Sequence, residues 1–327
     1  MLLSLIWNFQ FDLDCCFQIL DQFSQVCYRE GAVDIETNGA IAQRRHPDWL
    51  KVRAPFGERT HQLKKLLGNL RLNTVCQEAM CPNMGECWSH GVATFMILGD
   101  ICTRGCRYCA VSKGRPLQLD KSEPHRVAEA VQVMKLKHVV VTSVDRDDLS
   151  DGGAEIFSQT IDAIRMTNPK CIVEVLIPDF QGSEKALNQI LEAGPEILAH
   201  NIETVPRLYS KARAGGDYLR SLELLRRVHE WKADTVTKTG MMLGLGEKKD
   251  EIYKVLEDLI KENVRILTLG QYLRPTTWHL PVARHYHPDE FQFWKEVGEK
   301  MGFGHVESGP LVRSSYLADR QFASLKS

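Results

Sequence analysis

Val92-Ala93-Thr94-Phe95-Met96-Ile97-Leu98 runs directly into Gly99-Asp100-Ile101-Cys102-Thr103-Arg104-Gly105-Cys106-Arg107-Tyr108-Cys109. The first seven residues are short, apolar and partly β-branched, the pattern of a buried parallel strand. The loop that follows carries three cysteines at spacing x3 then x2. Three thiolates so placed can hold three corners of an iron–sulfur cube, and four-iron clusters ordinarily take four cysteine ligands. No fourth cysteine follows at short range, so one iron is left open, and an open metal position is a place for a substrate to bind. Zinc motifs come as two ligand pairs separated by a longer loop. This triplet fits them poorly, although zinc and redox thiols stay as alternatives.

Working outward, the same strand-like pattern recurs at Val139 to Val144, Cys171 to Ile177, Ile197 to Ile202, Thr235 to Leu243 and Val264 to Leu269. Helical patterns lie between these runs, at Pro124 to Lys135, Ala154 to Met166, Ser183 to Glu192, Tyr218 to Trp231 and Asp250 to Glu262, with a sixth at Pro288 to Met301. Pro124 suits a helix start and Gly194 a helix stop. Six β/α units predict an α/β fold, a partial (β/α)6 barrel of parallel strands that is curved but not closed. The cysteine loop follows the first strand, Thr142-Ser143 the second, Pro178-Asp179 the third and Glu203-Thr204 the fourth. All four segments are therefore expected at the C-terminal rim, where barrel enzymes build their sites. Gly244-Leu245-Gly246-Glu247 lacks the glycines of a phosphate fingerprint and reads as a turn.

A second triplet lies upstream, Cys76-Gln-Glu-Ala-Met-Cys81-Pro-Asn-Met-Gly-Glu-Cys87, spaced x4 then x5. A disulfide framework is disfavoured because nothing suggests secretion. Zinc is a fair reading of this segment taken alone. Beside the first triplet, a second iron–sulfur cluster reads better.

The first triplet, with an aromatic (Tyr108) just before its last cysteine, is similar to the motif of radical S-adenosylmethionine (SAM) enzymes. The pair of triplets resembles the lipoyl synthase family. The likeness extends roughly from Pro47 to Asp319. It is carried by Pro47-Asp48-Trp49-Leu50, Thr74-Val75-Cys76, Met84-Gly85-Glu86-Cys87, Thr94-Phe95-Met96-Ile97-Leu98-Gly99 and Thr142-Ser143-Val144-Asp145-Arg146-Asp147-Asp148-Leu149. It continues in Glu174-Val175-Leu176-Ile177-Pro178-Asp179-Phe180, Asn201-Ile202-Glu203-Thr204-Val205, Lys238-Thr239-Gly240-Met241-Met242, Gly270-Gln271-Tyr272-Leu273-Arg274-Pro275-Thr276 and Arg313-Ser314-Ser315-Tyr316.

That resemblance implies two 4Fe-4S clusters, one binding SAM and one auxiliary and sacrificial. It implies Cys102, Cys106 and Cys109 on the first and Cys76, Cys81 and Cys87 on the second. Ser315 is implied as an unusual fourth ligand of the auxiliary cluster, ahead of Ser314. One electron from the SAM cluster would cleave SAM to methionine and a 5′-deoxyadenosyl radical. The radical would abstract hydrogen at C6 and C8 of a protein-bound octanoyl-lysine, and the auxiliary cluster would supply both sulfurs. Such unactivated carbons offer acid–base or nucleophilic catalysis no handle, and the cofactor carries the hard step. Tyr108 is expected near the adenine. Ser143, Glu174, Asn201 and Glu203 are expected at strand ends in contact with SAM, and Arg207 or Lys238 at its carboxylate or at the substrate. Solvated or capping roles are the plain alternatives for these polar residues. The expected partners are an octanoylated carrier domain (a 2-oxoacid dehydrogenase E2 or the glycine cleavage H protein), an electron donor such as ferredoxin or flavodoxin, and an iron–sulfur carrier.

Composition sets the outer bounds. The 327 residues are 43% hydrophobic and 25% charged, with net charge −1, ordinary for a globular chain and without a basic field for nucleic acid. Ten cysteines with no secretory signal suggest a reducing compartment, hence a cytoplasmic location. Met1 to Glu30 is too interrupted by Asn8, Asp12, Asp14 and Asp21 for a membrane helix and lacks the character of a signal or transit peptide. It is read as an appendage outside the family likeness, and a chain starting near Ala40 is expected to keep its function. The domain expectation is residues 1–40 as that appendage, 41–91 as an extension carrying the auxiliary triplet, 92–303 as the barrel and 304–327 as the serine segment. Cys15, Cys16, Cys27 and Cys171 receive no role. The competing functions are another sulfur-inserting or methylthio-transferring radical SAM enzyme, for which the charge gives no sign of an RNA-binding module, and a non-catalytic electron-transfer protein, which has no use for an open iron.

Overall fold

The computed structural model describes residues 47–51, 58–78, 81–89 and 92–325. The appendage, with Cys15, Cys16 and Cys27, lies outside the described residues. At the centre is an eight-stranded sheet. β1 (Asn73–Thr74) pairs antiparallel with β2 (Thr94–Ile97) at one edge. β3 (Ile101–Cys102) and β4 (Ser112–Lys113) form a separate two-residue ladder inside the cysteine loop. In the main sheet every pairing from β2 onward is parallel, through β5 (His138–Ser143), β6 (Ile172–Leu176), β7 (Ile197–Ala199), β8 (Val236–Leu243), β9 (Ile266–Gln271) and β10 (His305–Gly309). Its order is β1–β2–β5–β6–β7–β8–β9–β10. Each strand thus sits beside its sequence neighbour within the sheet, and the two edges do not pair. The architecture is the partial, unclosed α/β barrel that the six repeats predict.

The six expected strands and six expected helices all form, the helices at Glu123–Met134, Ala154–Thr167, Glu184–Glu192, Tyr218–Trp231, Lys249–Lys261 and Pro288–Met301. Strand interiors are buried on both faces, as at β2 and β9, because helices cover a parallel sheet from outside and side chains fill it from within. Gly302, at φ +107, ends the last large helix in the left-handed conformation that glycine permits. The loop after β8 is a turn: Glu247 accepts from the Gly244 and Leu245 amides at 2.6 and 2.9 Å. β10 is a seventh parallel strand with no signature in the sequence. His305-Val-Glu-Ser-Gly buries only Val306 fully, so it has none of the apolar run that reveals the other strands.

The chain after β10 places the site. A short helix, Ala318–Ala323, packs on both β5 and β10, third and eighth in the sheet order. It therefore occupies the gap left by the open barrel. Phe322 meets His138, the first residue of β5, with ring centroids 6.5 Å apart. Two glycines admit the segment before this helix. A Cβ on Gly270 would collide with the Val312 carbonyl oxygen, and one on Gly240 would lie 2.8–2.9 Å from Asn201 Oδ1, Thr268 Oγ1 and Ser314 Oγ. Among the described residues no helix is long and apolar enough to cross a membrane.

Candidate active site

The SAM-triplet loop is tied to the strands around it at several points. The Thr103 amide donates to the Asp145 carbonyl at 3.0 Å, the Arg107 amide to Ala212 at 2.8 Å and the Gly114 amide to Cys102 at 3.0 Å. His279 Nε2 donates to the Cys109 carbonyl at 2.8 Å, its Nδ1 accepting from Thr276. Arg104, inside the triplet, is buried and grips three carboxylates. It binds Asp147 through two bonds of 2.7 Å, Asp179 at 2.7 Å and Asp145 at 3.5 Å. A buried cation needs such partners. Burial raises the Asp179 carboxyl, but hydrogen bonding and charge from Arg104 outweigh it and leave the carboxyl at about 2. Arg220 reaches the same carboxylate from its other side at 3.1 Å.

The three thiols face this scaffold. Burial pushes Cys102 up to about 12, helped by Asp145, and Cys109 to about 12 as well; Cys106 is raised for the same main reason. Cluster binding needs thiolates, so it releases protons. Cys102 Sγ donates to Asp145 at 3.6 Å, and the Tyr108 hydroxyl donates to Cys106. Tyr108, Glu203 and Arg213 lie close enough for their charges to act on one another. Burial raises both the Tyr108 and Glu203 acids. Glu203 sits at φ +66, a left-handed conformation uncommon outside glycine. Arg213 donates to the Asn201 carbonyl at 2.6 Å, and Asn201 Nδ2 donates to Glu203 at 3.2 Å.

Of the residues expected at SAM, Ser143 is the last residue of β5, and Asn201 and Glu203 follow β7. Ser143 Oγ is buried and makes no hydrogen bond to the described residues. One placement needs correction. Glu174 is not at a strand end but third of five residues in β6. Its carboxylate is already engaged, accepting from Lys238 Nζ at 2.7 Å and pairing with His138 at 3.1 Å, all three side chains buried. That accounts for Lys238 as well, because a buried ammonium without a counter-charge is costly. Arg207 is exposed; its guanidinium makes a bidentate pair with Glu251 at 2.6 and 2.8 Å and donates to the Gly246 carbonyl at 2.8 Å.

The auxiliary triplet is built differently. Cys76 lies in the short Val75–Glu78 helix, Cys87 in Met84–Ser89 and Cys81 between them. The thiols are near enough to raise one another's pKa, although burial is the larger cause; Cys87 reaches about 12. The Trp88 indole N–H, fully buried, has no partner of its own and faces Cys76. The C-terminal segment closes over these thiols. Asn83 Nδ2 donates to the Leu311 carbonyl at 2.6 Å, across 228 residues of chain. The Tyr316 hydroxyl reaches Glu86 at 3.3 Å, and the Leu317 amide donates to Cys87. Arg313 faces Cys81, and burial lowers its pKa. It has no carboxylate partner among the described residues, so an anionic thiolate-bound group there would compensate it. Ser314 Oγ donates to Asn201 Oδ1 at 3.0 Å. The Ser315 hydroxyl makes no hydrogen bond among the described residues and remains available. Gln321 Nε2 holds the Tyr316 carbonyl at 2.6 Å and so braces the serine turn from behind.

Among the described residues no three Cys, His, Asp or Glu side chains converge as a single metal ion would need. Cys171 is pushed to about 11 by burial in the core, and its thiol donates to the Ile172 carbonyl at 3.6 Å. The residues that sequence reasoning missed are Arg104, Asp145, Arg213, Asn83, Arg313 and Gln321. Arg104, Asp145, Asn83 and Arg313 stand within or beside quoted motifs, but nothing in their spacing announces a role. Arg213 and Gln321 carry no local signal at all.

Comparison with known proteins agrees with this geometry. Residues 96–259 match the model of the radical SAM superfamily, and residues 23–81 match that of the N-terminal domain of lipoyl synthase. The second match starts upstream of Pro47, inside the stretch expected to lie outside the family. The lipoyl synthase of Koribacter versatilis is 58% identical over 280 residues, covering 86% of this chain and 92% of that protein. That of Oceanobacillus iheyensis is 57% identical over 281 residues, covering 86% and 90%. Among solved structures, Streptococcus suis SuiB bound to S-adenosylmethionine superimposes with a TM-score of 0.51 at 9% identity, over 67% of this chain and 50% of its own, a likeness of fold. The chain belongs to the lipoyl synthase family, within the radical SAM superfamily.

Proposed function

We propose that the two triplets of this radical SAM, sulfur-inserting enzyme hold separate four-iron clusters, and that Ser315 completes the auxiliary one. The observation that carries this reading is the serine turn. It is drawn onto Cys76, Cys81 and Cys87 by Asn83 and Tyr316, with the Ser314 hydroxyl engaged by Asn201 and the Ser315 hydroxyl unengaged. An alkoxide is a harder ligand than thiolate and a poorer match to iron in a sulfide cluster, so it is the ligand most ready to leave when sulfur is given up. Cys102, Cys106 and Cys109 would hold the SAM cluster, with Tyr108, Ser143, Asn201 and Glu203 lining the place for SAM. When bound, the SAM cluster supplies the electron that cleaves SAM and so generates the hydrogen-abstracting radical.

The chain's own residues orient and enclose. Arg213 holds the Asn201 carbonyl and so sets the loop after β7. The segment from Leu311 to Leu317 covers the barrel mouth and excludes water, which a carbon radical requires. Family membership makes the substrate an octanoylated protein. We take the acceptor to be the octanoyl-lysine of an E2 or H-protein carrier, sulfurated at C6 and C8, with a ferredoxin or flavodoxin as reductant, an iron–sulfur carrier restoring the auxiliary cluster, and the cytoplasm as the compartment. Segment 41–91 would supply the auxiliary triplet, 92–303 the barrel and 304–327 the serine. Anaerobic reconstitution tests the core of this reading. Two cubes require about eight irons per chain; a plateau at about four, or one zinc, refutes it.

A further inference from the structure

Two stretches of this chain are free of acidic residues. Ile101 to Leu119 holds Arg104, Arg107, Lys113 and Arg115, and Asn263 to Pro288 holds Arg265, Arg274 and Arg284, with no Asp or Glu in either. The chain carries 42 acidic residues in 327, so stretches of this length would ordinarily contain several. The fold brings the two together. The Leu280 amide donates to the Arg107 carbonyl at 2.9 Å, and Arg107 Nη2 donates to the Trp278 carbonyl at 2.7 Å. Trp278 is 41% exposed. The Arg107 guanidinium carbon lies 4.6 Å from its ring centroid and Lys113 Nζ 4.0 Å. Arg104 and Arg284 are paired with carboxylates. Arg107, Lys113, Arg115 and Arg274 have no carboxylate partner among the described residues. In a chain of net charge −1, this is a local positive surface built around an exposed indole.

Its position gives it a purpose. Arg107 stands between Cys106 and Tyr108. Tyr108 turns into the molecule, towards Glu203 and Arg213, whereas Arg107 is exposed and lies against Trp278. The patch is thus the exposed side of the SAM-triplet loop, away from the side on which Tyr108 meets Glu203 and Arg213. We propose that Arg107, Lys113, Arg115 and Trp278 form the docking surface for an acidic one-electron donor protein, which passes an electron through this loop to the cluster on Cys102, Cys106 and Cys109. The donor loses one electron and the cluster gains one, with no bond made or broken. Positive groups without carboxylate partners steer an anionic protein to the surface, and Trp278 supplies the aromatic anchor that protein interfaces favour. The carrier domain is the weaker occupant, because its acyl chain must enter the barrel mouth. Docking of this kind presupposes the external reductant proposed above and rests on that reading.

The test uses the full chain carrying both clusters, with flavodoxin as the probe, and compares it with Lys113→Glu/Arg115→Glu and with Trp278→Ala. Charge reversal at a rim acts mainly on association and its salt dependence. The double variant is expected to raise the flavodoxin Kd, measured by titration, about tenfold and to flatten its dependence on salt. Flavodoxin-driven SAM cleavage at limiting donor should fall in parallel, while dithionite-driven cleavage and the KM for octanoylated carrier stay unchanged. An unchanged flavodoxin Kd overturns the proposal. So does an equal loss with dithionite, which would make the patch a mere support of the loop, or a rise in carrier KM alone, which would give the surface to the carrier. Failure of dithionite to drive cleavage in the unsubstituted protein would instead sink the cluster assignment and this inference with it.

Discussion

The two cysteine triplets are held by opposite means. The Cys102–Cys109 loop springs from β2, the first of the parallel strands, and is fastened by Arg104 to carboxylates after β5 and β6 and by His279 to the loop after β9. The Cys76–Cys87 segment lies outside the repeat, on two short helices, and is completed by a turn from the far end of the chain. The first is a lattice of charges between strands, and the second is a junction held by the Asn83 and Leu317 amides, with Tyr316 on Glu86 and Arg313 facing Cys81. On the reading proposed above, a cluster that only passes electrons and binds SAM would gain from a firmly fastened seat, and one that gives up sulfur would need a seat that can open and close again.

Removing ligands separates the two regions most strongly. Alanine at Cys102, Cys106 or Cys109 should abolish SAM cleavage, read as 5′-deoxyadenosine formed. Alanine at Cys76, Cys81 or Cys87 should leave cleavage detectable and stop lipoyl formation. Lipoyl product from Cys81→Ala would refute the division of labour. Next come the serines. Ser315→Ala should weaken the auxiliary cluster and prevent sulfur insertion while the SAM cluster survives. Ser315→Cys should hold iron more firmly, since thiolate is the softer ligand, yet transfer sulfur poorly. Ser314→Ala should be milder, because it removes only the bond to Asn201. Full activity in Ser315→Ala with loss in Ser314→Ala would move the ligand by one residue.

Asn83 tests whether the junction depends on its clamp. Its amide is the bond between the triplet and Leu311, and it is buried. Asn83→Leu removes the donor and leaves the Leu311 carbonyl unsatisfied. Groups that orient ligands typically alter metal affinity by about 10–100-fold. Iron retained at the auxiliary site under chelator challenge should fall within that range, with the SAM cluster untouched. Equal loss from both clusters would show that Asn83 supports the whole fold instead.

Much of this molecule is legible in the order of its residues. The six β/α units follow from alternating apolar runs and helical periods, because a parallel sheet buried on both faces leaves a strong pattern in every strand. β10 escapes that logic: it is an edge strand with only Val306 buried. The cysteine triplets are legible because iron–sulfur clusters are held chiefly by thiolates at close spacing. The polar side chains around SAM are legible only as positions. Whether Glu174 is free or engaged depends on Lys238, 64 residues away, and whether Arg207 is free depends on Glu251, 44 residues away. Local sequence cannot report such long-range pairing. The family motif narrows the proposed serine ligand to two neighbours, and the Asn201 bond to Ser314 supports Ser315 over it.

Acid offers the gentlest way to sharpen the contrast, because the SAM-triplet seat rests on ion pairs, whereas the Asn83–Leu311 clamp is a neutral amide bond. Asp179 has its carboxyl at about 2 in the fold, below the ordinary 3.8. A depressed carboxyl stabilises the fold fully above its unfolded pKa, and that stability is lost as pH falls through the folded value. The shift corresponds to about 2 kcal/mol at neutral pH, lost as pH falls from about 4 towards 2. His200, buried and held near 3 by burial and by Arg213, acts in the same direction from about 6.5 downward, because the unfolded chain takes up its proton first. Asp179→Asn isolates the carboxyl. Its deficit against the parent protein in urea unfolding should shrink by roughly 2 kcal/mol between pH 6 and pH 2. Hydrogen exchange in acid should open the Gly99–Cys109 loop before the Asn83–Leu311 junction, whose amide bond has no proton to gain. A deficit independent of pH would mean that Asp179 acts by shape alone. Earlier opening at Asn83 would mean that the neutral junction, not the ionic lattice, is the weaker seat at every pH.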